Sequence, residues 1–336
     1  MRATLTRDQG SGLVWIPQEA IIVPLSSRHE MEGGHGKVRK VLIEGMENIP
    51  AYIPFAAKTP KNPNMYQRRI ESSVEALVCP LNHPGVIKFF ALHTTTLEAY
   101  TLWWNGQSLH QMWLIDAKVA DRDLEWWKVN HKPALPVEEA KNISLFRKHK
   151  MKLAWGLVYI MSLVHKAGVL HNDLAPSNIL LHFPEVPADK VCIGVCDWGI
   201  ASRIQERRPS RYGYRSEDEM LKEKRSRFWV APELFFVYGP QNSDTDLNTM
   251  NLLHPTTVES DSYAVGKLLQ WLQVKHDFDS ELFKDGYARQ SFLSKTLQLT
   301  LEDPKKRLTC SEMVNTMLAA PYSMVPPEFV FRQDLL

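Results

Sequence analysis

Between residues 20 and 104 the apolar residues come in short runs separated by polar, proline- or glycine-bearing stretches, which is the pattern of strands. Runs at 21–23, 38–43, 53–57, 86–92 and 99–104 are the predicted strands. One segment breaks this rhythm: over 66–78 the apolar positions Ile70, Val74, Leu77 and Val78 predict a helix. From Leu109 onward the period is helical, clearest over 151–166 and 262–274. Residues 1–18 read as a short lead-in, and the polar stretch 239–251 as a long surface loop. The chain shows no internal repeat. Mostly strands, then mostly helices, predicts an α+β chain of two lobes rather than one alternating sheet. A small β-rich N-terminal lobe is expected over 19–104, a larger helical one over 105–325, and a tail over 326–336.

Composition adds limits. A chain of 336 residues is long enough for two cores, and 44% apolar with 23% charged residues suits a soluble globular protein. The net charge of +2 supplies no case for a nucleic-acid or membrane partner, so neither is expected. Basic runs at 58–69 and 222–227 read as solvated faces. Cys79, Cys192, Cys196 and Cys310 are too scattered for a disulfide framework, and the Cys192/Cys196 pair has no second pair to complete a zinc site. They read as buried core thiols. The first residues lack the pattern of a secretion signal, and no apolar run is long enough to cross a bilayer. An intracellular setting, cytoplasm or nucleus, and a monomer are the expectations.

The chemistry concentrates in residues 171–178, His171-Asn172-Asp173-Leu174-Ala175-Pro176-Ser177-Asn178, and in Asp197-Trp198-Gly199 downstream. An acid, an amide five residues later and a second acid before a glycine suit phosphate handling. Asp173 can accept a proton from an attacking hydroxyl, while Asn178 and Asp197 can hold a magnesium ion. Upstream, Gly33-Gly34-His35-Gly36-Lys37-Val38 lies between predicted strands and could form a hairpin tip where backbone amides approach phosphate oxygens. It is not a P-loop, because Val38 rather than Ser or Thr follows Gly36-Lys37. Lys58 closes the apolar run Phe55-Ala56-Ala57. A lysine there is commonly a surface residue, but its order after the glycine loop argues for a role.

Together these motifs resemble the protein-kinase family, and the resemblance runs from about Ile21 to Met317 with the motifs in order. It implies that ATP is held by Gly33, Gly34, Gly36, Val38, Ala56, Lys58, Glu75 and Leu180, with residues 100–109 as the hinge for adenine. Lys58 would pair the α- and β-phosphates and be braced by a helix glutamate, Glu75 or, one turn earlier, Glu71. His83-Pro84-Gly85 resembles the join between that helix and the next strand. Asp173 would orient the substrate hydroxyl, Asn178 and Asp197 would bind Mg2+, and His171 and Trp198 would pack behind the site.

Departures from the family pattern narrow the reading. Met31 replaces a glycine and His35 an aromatic in the glycine loop. Asn172 replaces the arginine that a phosphorylated activation loop neutralises in many members, so activity is expected not to need that phosphate. The segment from Asp197 to Glu233 still holds acceptors: Ser202, Ser210, Tyr212, Tyr214, Ser216 and Ser226. Ala175 replaces the lysine of serine/threonine kinases, and Ser177 the arginine of tyrosine kinases. The acceptor class stays open, with Ser or Thr ahead of Tyr.

His171-Asn172-Asp173-Leu174 also resembles small-molecule phosphotransferases of the aminoglycoside- and choline-kinase type. Ala231-Pro232-Glu233, residues 261–266 and Asp303-Pro304-Lys305-Lys306-Arg307 favour the protein kinase, since there Glu233 and Arg307 would pair and anchor a peptide platform. A nucleotide-binding pseudokinase scaffold is the third alternative, although Lys58, Asp173, Asn178 and Asp197 are all retained. The expected partner is a protein carrying the acceptor hydroxyl.

Overall fold

The computed structural model describes residues 5–7, 14–25, 31–33, 36–47, 49–60, 78, 81, 83–120, 137–184, 191–206, 212–214, 216–237, 255–273 and 286–319. The chain folds as two compact units, Met1–Asn105 with Cys196–Ala201, and Gly106–Val195 with Ser202–Leu336. The fold class is the expected α+β, with strands in the first unit and mostly helices in the second. The short segment holding Asp197 packs with the N-terminal unit.

Among the described residues the N-terminal unit is one eight-stranded sheet. Its strands are β1 (Thr6–Arg7), β2 (Val14–Ile16), β3 (Ile21–Pro24), β4 (Met31–Gly33), β5 (Gly36–Glu44), β6 (Pro54–Pro60), β7 (Phe89–His93) and β8 (Ala99–Leu102). The order is β1-β2-β7-β8-β6-β5-β3, with β4 also on β5. All five predicted strands are present. However, β7 starts three residues late, after the turn at Pro84-Gly85, and β8 stops before Trp103 and Trp104. The predicted helix at 66–78 lies outside the described residues apart from Val78, and the predicted loop 239–251 and the tail 326–336 lie wholly outside them.

Residues 1–18 are more than a lead-in. β2 pairs parallel with β7 (Trp15↔Leu92, Ile16↔His93), and β1 pairs with β2. Ile16 is fully buried among Val41, Ile43, Phe55, Ala57, Ala91 and Tyr100. Three-residue strands fall below what periodicity can detect, and their partners are distant in sequence.

Register assigns the two faces of the sheet. Val38 opposes Lys58, Ala56 opposes Thr101 and Lys58 opposes Ala99, so these side chains share a face. Arg39, Ala57 and Tyr100 take the other face. There the Glu98 carboxylate is buried and accepts from Arg39 Nη2 (2.6 Å), Thr59 Oγ1 (2.6 Å) and Tyr100 Oη (2.9 Å). Burial alone would raise its pKa, but the bonds from Thr59, Arg39 and Tyr100 and the Arg39 charge outweigh it and hold the group below its ordinary value.

The C-terminal unit is built on helices α1 (Leu109–Ala120), α2 (Val137–Lys166), α3 (Glu217–Ser226), α4 (Val258–Gln273), α5 (Gly286–Leu299) and α6 (Cys310–Ala319). The helix expected over 151–166 is longer and begins at Val137. Its buried positions Leu153, Leu157, Ile160, Met161 and Val164 follow helical spacing. Gly168, at φ +79°, ends it in the left-handed conformation that glycine adopts without a Cβ penalty. α4 opens with a reciprocal cap in which Thr257 Oγ1 accepts from Ser260 N (3.2 Å) and Ser260 Oγ from Thr257 N (2.9 Å). Cys192 and Cys310 are buried as expected, whereas Cys196 is only half-buried, at the end of its strand; Cys79 lies outside the described residues. No described helix is long and apolar enough to cross a membrane.

Candidate active site

The candidate groups divide between the two units. In the N-terminal unit, Gly33 and Gly36 pair at the end of the β4–β5 ladder, where the sequence suggested a hairpin. Gly34 lies outside the described residues, as do Glu71 and Glu75, the two candidate braces for Lys58. Lys58 Nζ sits 2.9 Å from Asp197 Oδ1. Their side chains keep 27% and 31% of their surface, so the pair is open to solvent and to a ligand. Asp197 stands at φ +64°, a conformation that costs a non-glycine residue energy and concentrates where chemistry fixes a side chain. Beside it Trp198 is buried, with its indole N–H donating to Ile87 O at 3.1 Å. The resemblance implied phosphate for Lys58 and metal for Asp197; the structure pairs the two side chains directly.

In the C-terminal unit the acid-bearing loop follows β9 (Val169–Leu170) and leads through one 3-10 turn, Pro176–Asn178, into β10 (Ile179–His182). Asp173 is half-buried and Asn178 is 8% exposed. The Asn178 amide nitrogen donates to Asp173 O at 2.8 Å, and its oxygen accepts from Ser177 Oγ at 3.3 Å. The Asp173 N–H donates to Nδ1 of buried His171 at 3.2 Å. Leu180, half-buried, sits on β10 opposite Ser108, and Leu181 N donates to Gln107 O at 3.0 Å. The segment expected as hinge thus continues against β10. Gly106 is required there, because a Cβ on it would lie 2.0 Å from Leu181 O.

Asp261, in the first turn of α4, fastens this loop from below. Its Oδ2 accepts from His171 N (2.7 Å) and lies 3.3 Å from His165 Nε2, and its Oδ1 accepts from Asn172 N (3.1 Å). The expected Glu233–Arg307 pair also forms, with bonds of 2.6 and 3.0 Å and the arginine side chain fully buried. A pocket lies against the loop, lined by Asp173, Leu174, Trp229, Val230, Leu234 and Ala264 among others.

Asn178 and Asp197 each carry an oxygen of the hard kind that magnesium takes, so the donor chemistry of each side chain fits the ion. Lys58 fits a phosphate oxygen. Among the described residues no group of three or more His, Cys, Asp or Glu side chains gathers as a metal cluster.

The protein kinase domain family matches residues 32–319. The chain belongs to that family. This kinase domain is 26% identical over 60% of its length to a probable serine/threonine-protein kinase of Dictyostelium discoideum. It is 24% identical over 83% to the serine/threonine-protein kinase RUNKEL of Arabidopsis thaliana. Over 33% of its length it is 32% identical to the mitogen-activated protein kinase HOG1 of Scheffersomyces stipitis. It spans 18%, 17% and 23% of those three proteins respectively.

Sequence reading of the kinase domain missed two residues that bond to this loop. Asp261 was visible as the start of a helix motif, but its hold on a loop some ninety residues away has no local signal. Ser202 stood among the phosphate acceptors; it is fully buried and bonded to Asn172, which removes it from that list in this conformation.

Proposed function

We propose that this chain is a protein kinase that uses Mg-ATP to phosphorylate a protein hydroxyl, serine or threonine ahead of tyrosine. The observation that carries the reading is the Lys58–Asp197 pair at 2.9 Å. A phosphate-binding cation and a metal-binding acid, 139 residues apart, come together on the glycine-hairpin side of the sheet. Bound Mg-ATP supplies the transferable phosphoryl group and the charge that draws on these residues. Lys58 would neutralise phosphate oxygens, and Asn178 and Asp197 would each offer an oxygen ligand to the ion. Asp173, held in place by His171, orients the acceptor hydroxyl and takes its proton.

The Glu233–Arg307 pair favours a protein acceptor over a small molecule, since it ties down the segment beside the Asp173 pocket on which a peptide would lie. The relatives' names as serine/threonine kinases lend the same weight to Ser or Thr. The test combines a thermal-shift titration with Mg-ATP and turnover on a mixed Ser/Thr/Tyr peptide library, with choline and an aminoglycoside in parallel. Mg-ATP should raise the melting temperature at millimolar concentration. Asp173→Asn should cut phosphoryl transfer by roughly 10²–10⁴-fold while leaving nucleotide affinity nearly intact. Stabilisation absent in folded protein, or full turnover by the variant, overturns the reading.

A further inference from the structure

We infer that Ser202 is a positioning residue for the reaction: through Asn172 it holds the loop that presents Asp173. The inference rests on the kinase reading above. Asn172 precedes Asp173 directly and stands at φ +65°. Asparagine tolerates the left-handed region better than most residues, but it stays there only where its surroundings over-determine it.

Two bonds do so. The backbone N–H of Asn172 donates to Asp261 Oδ1 at 3.1 Å, and its side-chain Nδ2 donates to Ser202 Oγ at 2.9 Å. The first holds the backbone position; the second holds the direction in which the residue leaves the loop. With both ends fixed, rotation about the Asn172 backbone, which would swing Asp173, is blocked.

The other end of the second bond is rigid. Ser202 is fully buried and begins the short strand Ser202–Arg203, which pairs antiparallel with β9 in the register Ser202↔Leu170 and Arg203↔Val169. Leu170 is two residues before Asn172, so the side-chain bond extends a strand pairing past its last backbone partner. Ile204 N also donates to Gly168 O at 2.9 Å, which closes the other end of the ladder.

Both partners are neutral. Arginine at 172 would bring a fixed charge that must be paired before the loop orders. An amide bonded to a buried hydroxyl needs no such pairing. Ser202 therefore provides with one hydrogen bond the fastening that a charged device obtains from a phosphate.

The experiment uses the whole chain as Ser202→Ala, Ser202→Thr, Asn172→Ala and the Ser202→Ala/Asn172→Ala double variant. Hydrogen exchange is followed on peptides covering residues 169–175, and turnover with Mg-ATP on the mixed peptide library. Both alanine variants should exchange the amides of 171–173 about tenfold faster, with peptides from α2 unchanged. Each should lower kcat about tenfold or more with the KM for Mg-ATP held within about twofold, because the displaced group is the acid and not the nucleotide grip. The double variant should be no worse than either single one, and Ser202→Thr, which keeps the hydroxyl, should retain most of the rate. Unchanged exchange in both single variants, or additive losses in the double, overturns the inference. If Ser202→Ala does not fold, Asn172→Ala, at a half-buried position, decides the same question. A wild-type chain without turnover sinks the kinase reading, while the exchange measurement still decides the fastening.

Discussion

Replacing Glu233 with alanine takes two acceptors from a guanidinium that has no exposed surface. Arg307 Nη1 and Nη2 lie 2.6 and 3.0 Å from the two carboxylate oxygens. The same group donates to the carbonyls of Leu301 (2.8 Å), Glu259 (3.0 Å) and Glu302 (3.1 Å) and stacks 4.8 Å from the Tyr263 ring. Those carbonyls satisfy three of its five N–H groups and bring no charge, so the variant leaves a buried cation uncompensated with two N–H groups unpaired. Breaking such a pair on one side costs about 3–5 kcal/mol. For a unit of this size that corresponds to a fall of roughly 6–20 °C in the melting temperature of its transition. Glu233→Gln keeps the shape and one acceptor and should lose less, about 1.5–3 kcal/mol. Differential scanning calorimetry measures both, with the two units allowed separate transitions. The reasoning also predicts that Glu233→Leu/Arg307→Leu is milder than Glu233→Ala, because no charge is left behind. A Glu233→Ala loss below about 1 kcal/mol, or a double variant worse than the single one, would mean that solvent reaches Arg307 and refute the argument.

Acid should weaken both units. Burial alone would raise Asp116, but hydrogen bonds from Lys150 (3.0 Å) and Arg147 (2.6 Å) and their charges hold it below its ordinary value, as Glu98 is held in the sheet. A carboxylate depressed in the fold stabilises it at neutral pH, and that contribution disappears as pH falls through about 4 and on to the folded pKa. The melting temperature should drop over that range and drop less steeply in Asp116→Asn; parallel curves would contradict this. Gly106→Ala should cost about 1–3 kcal/mol, since its Cβ would meet Leu181 O at 2.0 Å and the backbone must shift. An unshifted calorimetric transition would show that the approach is looser. Phosphatase treatment, confirmed by mass spectrometry, should change turnover by less than about tenfold, because Asn172 is bonded to Ser202 rather than waiting for a phosphate. A larger fall would point to a phosphate-binding arginine elsewhere.

Local pattern carried much of this protein. Each strand from β3 to β8, apart from the three-residue β4, is long enough to show its apolar run, and α2 and α4 show their period plainly. Lys58, Asp173, Asn178 and Asp197 could be named as candidates from residue type and order along the chain, which the proposed phosphate chemistry would constrain. Glu233 and Arg307 were legible as a pair for the same reason. Other features depend on what folding brings together. β1 and β2 are too short to have a period and exist as strands through β7, more than seventy residues downstream. Lys58 meets Asp197 because the segment Cys196–Ala201 leaves the unit before it in sequence and packs with the sheet. Asp261 and Ser202 acquire their roles at 2.7–3.1 Å from backbone and amide groups distant in the chain. Hydrogen bonds and ion pairs act over a few ångströms of space, and separation along the sequence does not encode that distance; only the packed structure does.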